Sequence, residues 1–391
     1  MPATKELRIG VIGAGGRGAL ARNAHHPEDG VRVVAGADTN PAALARFKLD
    51  FGPDVFVTDD YRRLLALKDI GAVFVTSPDF LHEEHAVAAL KAGKAVYLEK
   101  PMAITVRGCD RILRTAFERK LKLYLGHNMR HMRLIRKMRE LILDGAIGQV
   151  KAGWCRHFVG YGGDAFFKDW HADRSKSTSL LLQKGAHDID VLHWLCGGYT
   201  ARVNALGGLV LYDRIKDRHS PKERGDASWR MENWPPLSQK GLNPVIDVED
   251  VSMMLMQLDN GVFASYQQCH FTPDGWRNYT IIGTEGRIEN VTEDCIKLWN
   301  RRTHCNPFGD EQFYLPPLSG SHGGSDLSIV AEFIEHVRFG KKVTTSPVAA
   351  RYSVAAGCMA AHSLRHGGIP VNIPKLSPKI AAYFDAALAR D

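Results

Sequence analysis

Six residues, Gly13-Ala14-Gly15-Gly16-Arg17-Gly18, sit between the apolar run 7–12 and a stretch at 19–24 with helical character. This is the G-x-G-x-x-G pattern in the strand-to-helix context that gives it meaning. Gly13 permits the tight turn, Gly15 lets the backbone approach a pyrophosphate, and Gly18 lets helix and strand pack closely. The unbonded N–H groups of the helix start, with Gly16 and Arg17 among them, then face the phosphates. Asp38 ends the next apolar run, about 20 residues beyond Gly18, where a carboxylate accepts from the adenosine ribose and repels a 2′-phosphate. The turn therefore predicts a Rossmann domain that binds NAD, with Arg17 and Arg22 as the features that would favour NADP.

The rest of the N-terminal third keeps this rhythm. Short apolar runs at 31–37, 55–57, 72–76, 95–98 and 122–125 alternate with helical stretches at 41–50, 61–67, 82–92 and 104–120. Runs apolar throughout, separated by helices, imply a parallel sheet covered on both faces. Beyond Gly126 the pattern changes. A basic amphipathic helix is expected at 134–143, a strand at 151–159 and helix through 178–195. A hairpin follows at 251–258 and 262–271 around Asn260-Gly261, a strong turn signal, with further strands at 279–282, 287–290 and 296–299. The expected fold class is α/β. A Rossmann domain spans 1–127, and an α+β domain with a mostly antiparallel open sheet spans 128–391, its C-terminal helices closing the structure. Two irregular stretches, 160–177 and 213–247, are long enough to be functional or interfacial.

Composition removes several classes. No apolar run approaches a membrane span, and the polar start lacks a signal-peptide layout. The seven cysteines are scattered and never spaced C-x-x-C, which reads as reduced thiols in a cytoplasmic protein. Cys155 and His157, Cys269 and His270, and His304 and Cys305 pair by proximity in sequence, but no further ligand is spaced to complete a metal site, so no metal is expected. The net charge of +8 is spread along the chain without a basic tail or nucleic-acid motif, so no nucleic-acid partner is expected.

Further motifs carry a resemblance. Glu99-Lys100-Pro101 follows a strand; Thr76-Ser77-Pro78 precedes His82; Gly126-His127-Asn128-Met129-Arg130 ends another strand. His187-Asp188-Ile189-Asp190 leads into Trp194-Leu195, Gly283-Thr284-Glu285-Gly286 forms a turn, and residues 322–326 read HGGSD. Together these resemble the Gfo/Idh/MocA oxidoreductases over nearly the whole chain. The resemblance implies that Thr76, Ser77, Pro78, His82, Glu99 and Asn128 line the cofactor. It also implies that Lys100 sits beside the nicotinamide and donates to the reacting oxygen, and that the sheet of the second domain supports a homo-oligomer, dimer or tetramer. Oxidising an alcohol needs a base for the hydroxyl proton and positive charge near the oxygen. His187 suits the first need because imidazole titrates near neutrality. Asp190 is expected to cap or pair and His193 to pack.

One position departs from the resemblance. Sugar and inositol dehydrogenases of the family carry Asp four residues before the histidine, where this chain has Gln183. Glutamine orients a substrate or a water but cannot act as a base. The first expectation is an NAD-dependent oxidoreductase acting on a sugar, polyol or glycoside through Lys100 and His187, with Gln183 in the same pocket. The alternative is an NAD-dependent glycosidase: transient oxidation, elimination, water addition and re-reduction, with extra acid–base groups among His157, Tyr161 and His171. A non-catalytic NAD-binding regulator is the third. Arg156, Lys168, Trp170, His171, Arg174 and Lys176 cluster around the 160–177 stretch and suit an anionic sugar, for example a sulfonated one.

Overall fold

A computed structural model of the chain describes residues 6–223, 225–316, 318 and 321–388. Residues 1–5 of the polar start and Arg224 of the 213–247 stretch lie outside the described residues. The chain divides into two compact units. The first comprises 1–131, 319–351 and 375–391; the second comprises 132–318 and 352–374.

The first unit is built on a parallel sheet of β1 (Leu7–Ile12), β2 (Val31–Ala37), β3 (Phe56–Thr58), β4 (Ala72–Val75), β5 (Ala95–Leu98) and β6 (Leu123–Leu125), in the order 3-2-1-4-5-6. This is the doubly wound order that binds dinucleotides where it reverses, between β1 and β4. β4, β5 and β6 are buried along their whole length, as apolar runs between two helical layers must be. Local chemistry fixes the helix starts. Asn40 accepts from the Ala42 N–H, with Pro41 in the first turn, and Thr105 accepts from the Gly108 N–H.

The division replaces the single boundary expected after residue 127. The helix Ser325–Phe339 places Ile329, Val330 and Phe333 in the same core cluster as Phe74, Tyr97 and Tyr124. Phe333 meets the Phe74 and Tyr97 rings edge-on at 5.4 and 5.6 Å, and the Tyr124 hydroxyl donates to Glu332 at 2.7 Å. The apolar side of that helix thus completes the first unit's core rather than the second's.

Among the described residues, the second unit carries nine strands: β7 (Val150–Phe158), β8 (Thr200–Gly208), β9 (Val251–Leu258), β10 (Phe263–Cys269), β11 (Trp276–Gly283), β12 (Arg287–Asn290), β13 (Cys295–Trp299), β14 (Glu311–Tyr314) and β15 (Val371–Asn372). They form one sheet in the order 14-13-12-11-7-10-9-8-15, antiparallel except where β7 runs beside β10. The helix Gly185–Cys196 packs on one face, over β7, β10 and β11. The period-2 alternation of side chains gives the other face Leu206, Met253, Leu255 and Phe263, which are 65, 54, 59 and 62 % exposed.

Candidate functional site

The first unit gathers its candidate residues at the C-terminal ends of β1, β2, β4, β5 and β6. Gly13 has φ +88°, and a Cβ there would lie 2.5 Å from the Ser77 nitrogen; one on Gly18 would lie 2.3 Å from the Gly13 oxygen. Both contacts are impossible for any other residue, so the turn is tied to β1 and β4 by the absence of side chains. The Thr76 hydroxyl donates to the Gly13 carbonyl at 2.8 Å, and the Gly18 N–H to the Gly15 carbonyl at 2.7 Å. Gly16, at φ +47°, has open space where a Cβ would point. Asp38 Oδ2 accepts from the Gly15 N–H at 2.9 Å and Oδ1 from the Asn40 N–H at 2.8 Å, which fixes the carboxylate beside the turn. A close-packed glycine turn with an acidic group at the end of β2 fits a dinucleotide carrying a free ribose diol.

Arg17 points away from Asp38. Its Nε donates to Glu99 at 2.8 Å and its two terminal nitrogens grip Asp326 at 2.5 and 2.8 Å. With two carboxylates on its guanidinium, it is a clamp within the unit. Asn128 joins the clamp through Asp326 at 3.2 Å. Glu99 is buried and also accepts from the Tyr97 hydroxyl and from the backbone N–H of Lys100, at 3.2 and 3.1 Å. The Lys100 backbone is therefore held by its own neighbour. His82 lies between the carbonyls of Ser77 and Pro101, at 2.8 and 2.7 Å, and ties the segment after β4 to that after β5. Pro78 opens the short turn Asp79–Leu81 that leads into it.

In the second unit, two helical segments, Leu180–Gln183 and Gly185–Cys196, meet at Lys184. Gln183, Lys184, His187 and Asp188 are all buried there. Asp188 is the hub. Its carboxylate bonds His157 Nδ1 at 2.9 Å, accepts from the Tyr279 hydroxyl, and lies 3.1 Å from Arg277 Nε. Burial alone would raise the Asp188 pKa, but Arg277 and then His157 outweigh it and hold the carboxyl well below the usual carboxylate range. Burial, reinforced by Arg277, pushes the His157 imidazole down to about 3, so it is neutral at physiological pH. Lys184 donates to the Tyr161 hydroxyl at 2.8 Å, and burial followed by Arg277 pushes its amine down to about 7. His171 stacks on Trp170 at 3.8 Å and meets the Phe166 ring edge-on. His270, wholly buried, lies against Phe166 and Phe167, and burial drives its pKa far down. His193 bonds Thr200 at 2.7 Å, in agreement with a packing role.

Asp188→Ala should lower stability by about 3 kcal/mol, because it leaves Arg277, three-quarters buried, facing a site with no counter-charge. The native carboxyl titrates below its ordinary value, so its stabilisation is complete at neutral pH and is lost only as pH falls below the ordinary carboxylate range. Urea melts of the two proteins at neutral pH measure the difference. A change under about 1 kcal/mol would show that the network is not a structural keystone.

The sequence-predicted substrate residues do not all converge. His157, Tyr161 and His171 join the buried cluster. Arg156 does not, because it neighbours His157 on β7 and so projects to the opposite face, where it donates to Asn278 at 2.8 Å. Lys168 and Trp170 line a surface cleft of about 260 Å³ with Lys176, alongside Asp169, Asp173 and Glu223. The Arg174 backbone N–H donates to the Asp247 carboxylate and its guanidinium to the Asp247 backbone carbonyl, both at 2.6 Å. The cationic loop is thus interleaved with carboxylates. Lys184, Arg277, Tyr279 and His270 are members that sequence reasoning missed. The signal for Lys184 is a lysine two residues after the apolar run Leu180-Leu181-Leu182 and three residues before His187.

Comparison with known proteins covers both units. The family described as "Oxidoreductase family, NAD-binding Rossmann fold" matches residues 7–127, and "GFO/IDH/MocA C-terminal domain" matches 135–289. A 1-carboxy-3-chloro-3,4-dihydroxycyclo hexa-1,5-diene dehydrogenase of Comamonas testosteroni is 31% identical over 345 residues, 86% of this chain and 76% of its own. A 2,7-anhydro-N-acetylneuraminate hydratase of Mediterraneibacter gnavus is 30% identical over 214 residues, 53% of this chain and 54% of its own. A levoglucosan dehydrogenase of Pseudarthrobacter phenanthrenivorans is 25% identical over 88% of this chain and 92% of its own. A levoglucosan dehydrogenase structure in complex with NADH and levoglucosan shares the fold, with a TM-score of 0.77 and 21% identity over 95% of this chain and 100% of that one.

Proposed function

Because this chain belongs to the Gfo/Idh/MocA oxidoreductases and is an NAD-dependent enzyme, we propose that it oxidises a ring carbinol of a sugar, polyol or glycoside. The observation that carries the reading is the position of Lys100. It follows β5 on the same sheet edge as the glycine turn, with its backbone held by Glu99. NAD, when bound, supplies a hydride acceptor. The Lys100 ammonium stabilises the negative charge that grows on the reacting oxygen. His187 assists at the reacting hydroxyl as an acid–base group. Gln183 orients a hydroxyl or a water by hydrogen bonding and takes no proton. Thr76, Ser77 and the glycines cradle the cofactor, and Asp38 selects it. The small-molecule substrate meets His157, Tyr161 and His171, with Lys168, Trp170 and Arg174 on the adjoining loop. Copies associate through the apolar face of Leu206, Met253, Leu255 and Phe263, as a dimer or tetramer.

The carboxylates among the loop cations favour a neutral sugar over a sulfonate or uronate. A second reading, transient oxidation within a glycosidase cycle, draws on a buried amine, Lys184, next to Gln183, where a carboxylate is expected. Elimination needs such an additional proton-transfer group. A panel of neutral, sulfonated and uronate sugars and their glycosides, scored for both NADH and aglycone release, separates the readings. Oxidation of a neutral sugar with net NADH is the expected result. Aglycone release that requires NAD without net NADH would replace it by the glycosidase cycle, and no response of either kind would overturn both.

A further inference from the structure

Lys184 is a buried amine in an unusual setting. An ammonium offers three donors. Among the described residues, its oxygen partner is the Tyr161 hydroxyl at 2.8 Å, and its other neighbours include the Phe166 ring, with its centroid 5.4 Å from the nitrogen. Asp188, on its own helix, favours the charged form, but that carboxylate is already engaged by His157, Tyr279 and Arg277. Arg277 on β11 opposes the charge, and the imidazoles of His157 on β7 and His270 after β10 face the same space without neutralising it. The amine is thereby brought to about 7, chiefly by burial, and both protonation states are populated at neutral pH. The Tyr161 ring is half-buried, with Trp229 and Phe166 against it.

A lysine and a tyrosine joined this way have two arrangements that differ by one proton. The charged amine donates to the phenol oxygen, or the phenol donates to the neutral amine. We propose that Lys184, acting through the Tyr161 hydroxyl, is a proton acceptor for the carbinol oxidation, beside His187. The proposal rests on the oxidation reading above. In the step, the substrate O–H bond breaks and its proton goes to the Tyr161 oxygen, while the Tyr161 proton moves to the Lys184 nitrogen. The carbinol C–H bond breaks with its electron pair leaving as hydride to NAD, and the C=O bond forms. Lys184 ends as an ammonium and Tyr161 as a phenol. Lys184 thereby sets the readiness of Tyr161 without touching the substrate itself.

Two measurements on the NAD-loaded protein test this, with levoglucosan and a panel of neutral sugars as probes. The first is kcat/KM between about pH 5 and 9, which should rise through a limb near 7, since the active form is the neutral amine. Lys184→Arg keeps a permanent charge, so it should lose that limb and about 100-fold of kcat/KM at neutral pH. Tyr161→Phe should do the same, whereas His187→Gln should slow the reaction yet keep the limb. The second readout needs no turnover: in ¹³C-lysine NMR, the Lys184 signal should titrate near 7 and shift in Tyr161→Phe. A Lys184 still protonated above about pH 9 overturns the proposal, as does a limb retained in Lys184→Arg. NADH formation with Lys184 protonated throughout overturns the couple alone. No NADH from any sugar while Lys184 titrates near neutrality overturns the oxidation reading, and with it the use assigned to the couple.

Discussion

Lys100→Met should lower turnover about 1,000-fold while NAD affinity stays within a few-fold of the parent. Methionine keeps an unbranched side chain of nearly the same length and removes the ammonium, with its charge and its donors. The backbone has its own support, since the Lys100 N–H bonds Glu99, which Arg17 and Tyr97 also hold. The substitution therefore leaves the turn after β5 in place and tests the ammonium alone. Charge stabilisation at an oxygen becoming alkoxide-like is the largest single contribution a group there can make. Fluorescence titration with NAD and a steady-state assay on the best sugar give the two numbers. Turnover within ten-fold of the parent would refute the role.

Asp38→Ala should weaken NAD binding about 10- to 100-fold and shift the preference towards NADP by a similar factor. The carboxylate already accepts from the Gly15 and Asn40 N–H groups, so it is fixed at the turn before any ribose arrives. Its loss removes both a charge-assisted acceptor for the diol and a repulsion against a 2′-phosphate. Asp38→Asn separates the two, because it keeps the size and an acceptor oxygen without the charge. It should lose discrimination more than affinity. Calorimetric titration with each dinucleotide measures the ratio, and an unchanged ratio in both variants would show that selection lies elsewhere. Arg17 offers no easy substitute for a 2′-phosphate partner, since Glu99 and Asp326 hold its guanidinium.

The cofactor turn was legible in sequence because everything that defines it is local. Three glycines, one strand before them and one carboxylate after β2 carry the geometry, and each strand of that sheet is a short apolar run. What depended on distant contacts was harder to read. The helix Ser325–Phe339 could not be assigned to the first unit, because nothing in its own pattern says which core Phe333 enters. β14 (EQFY) is largely exposed and carries no alternation to mark it. Charge groups Arg156 with the cations of 160–177, although strand periodicity already sets it on the face opposite its neighbour His157. Lys184 is harder to read for a different reason: it is one polar residue among several between Gln183 and Asp190, and only the packing around it shows how little supports its charge.

The return of 319–351 to the first unit has a consequence for how the chain is made. Phe74, Tyr97 and Tyr124 wait for Phe333, and Arg17 and Asn128 for Asp326, across separations that run from 198 to 309 residues. A nascent chain that has emerged only as far as β6 has all six strands of the sheet but lacks part of its core and both oxygens of the carboxylate that clamps the glycine turn. Contacts of such long sequence separation slow folding. The cofactor-binding half, though begun first, therefore waits until residues 132–318 of the second unit have been made, and until then its unfinished aromatic core is the surface most in need of protection by chaperones.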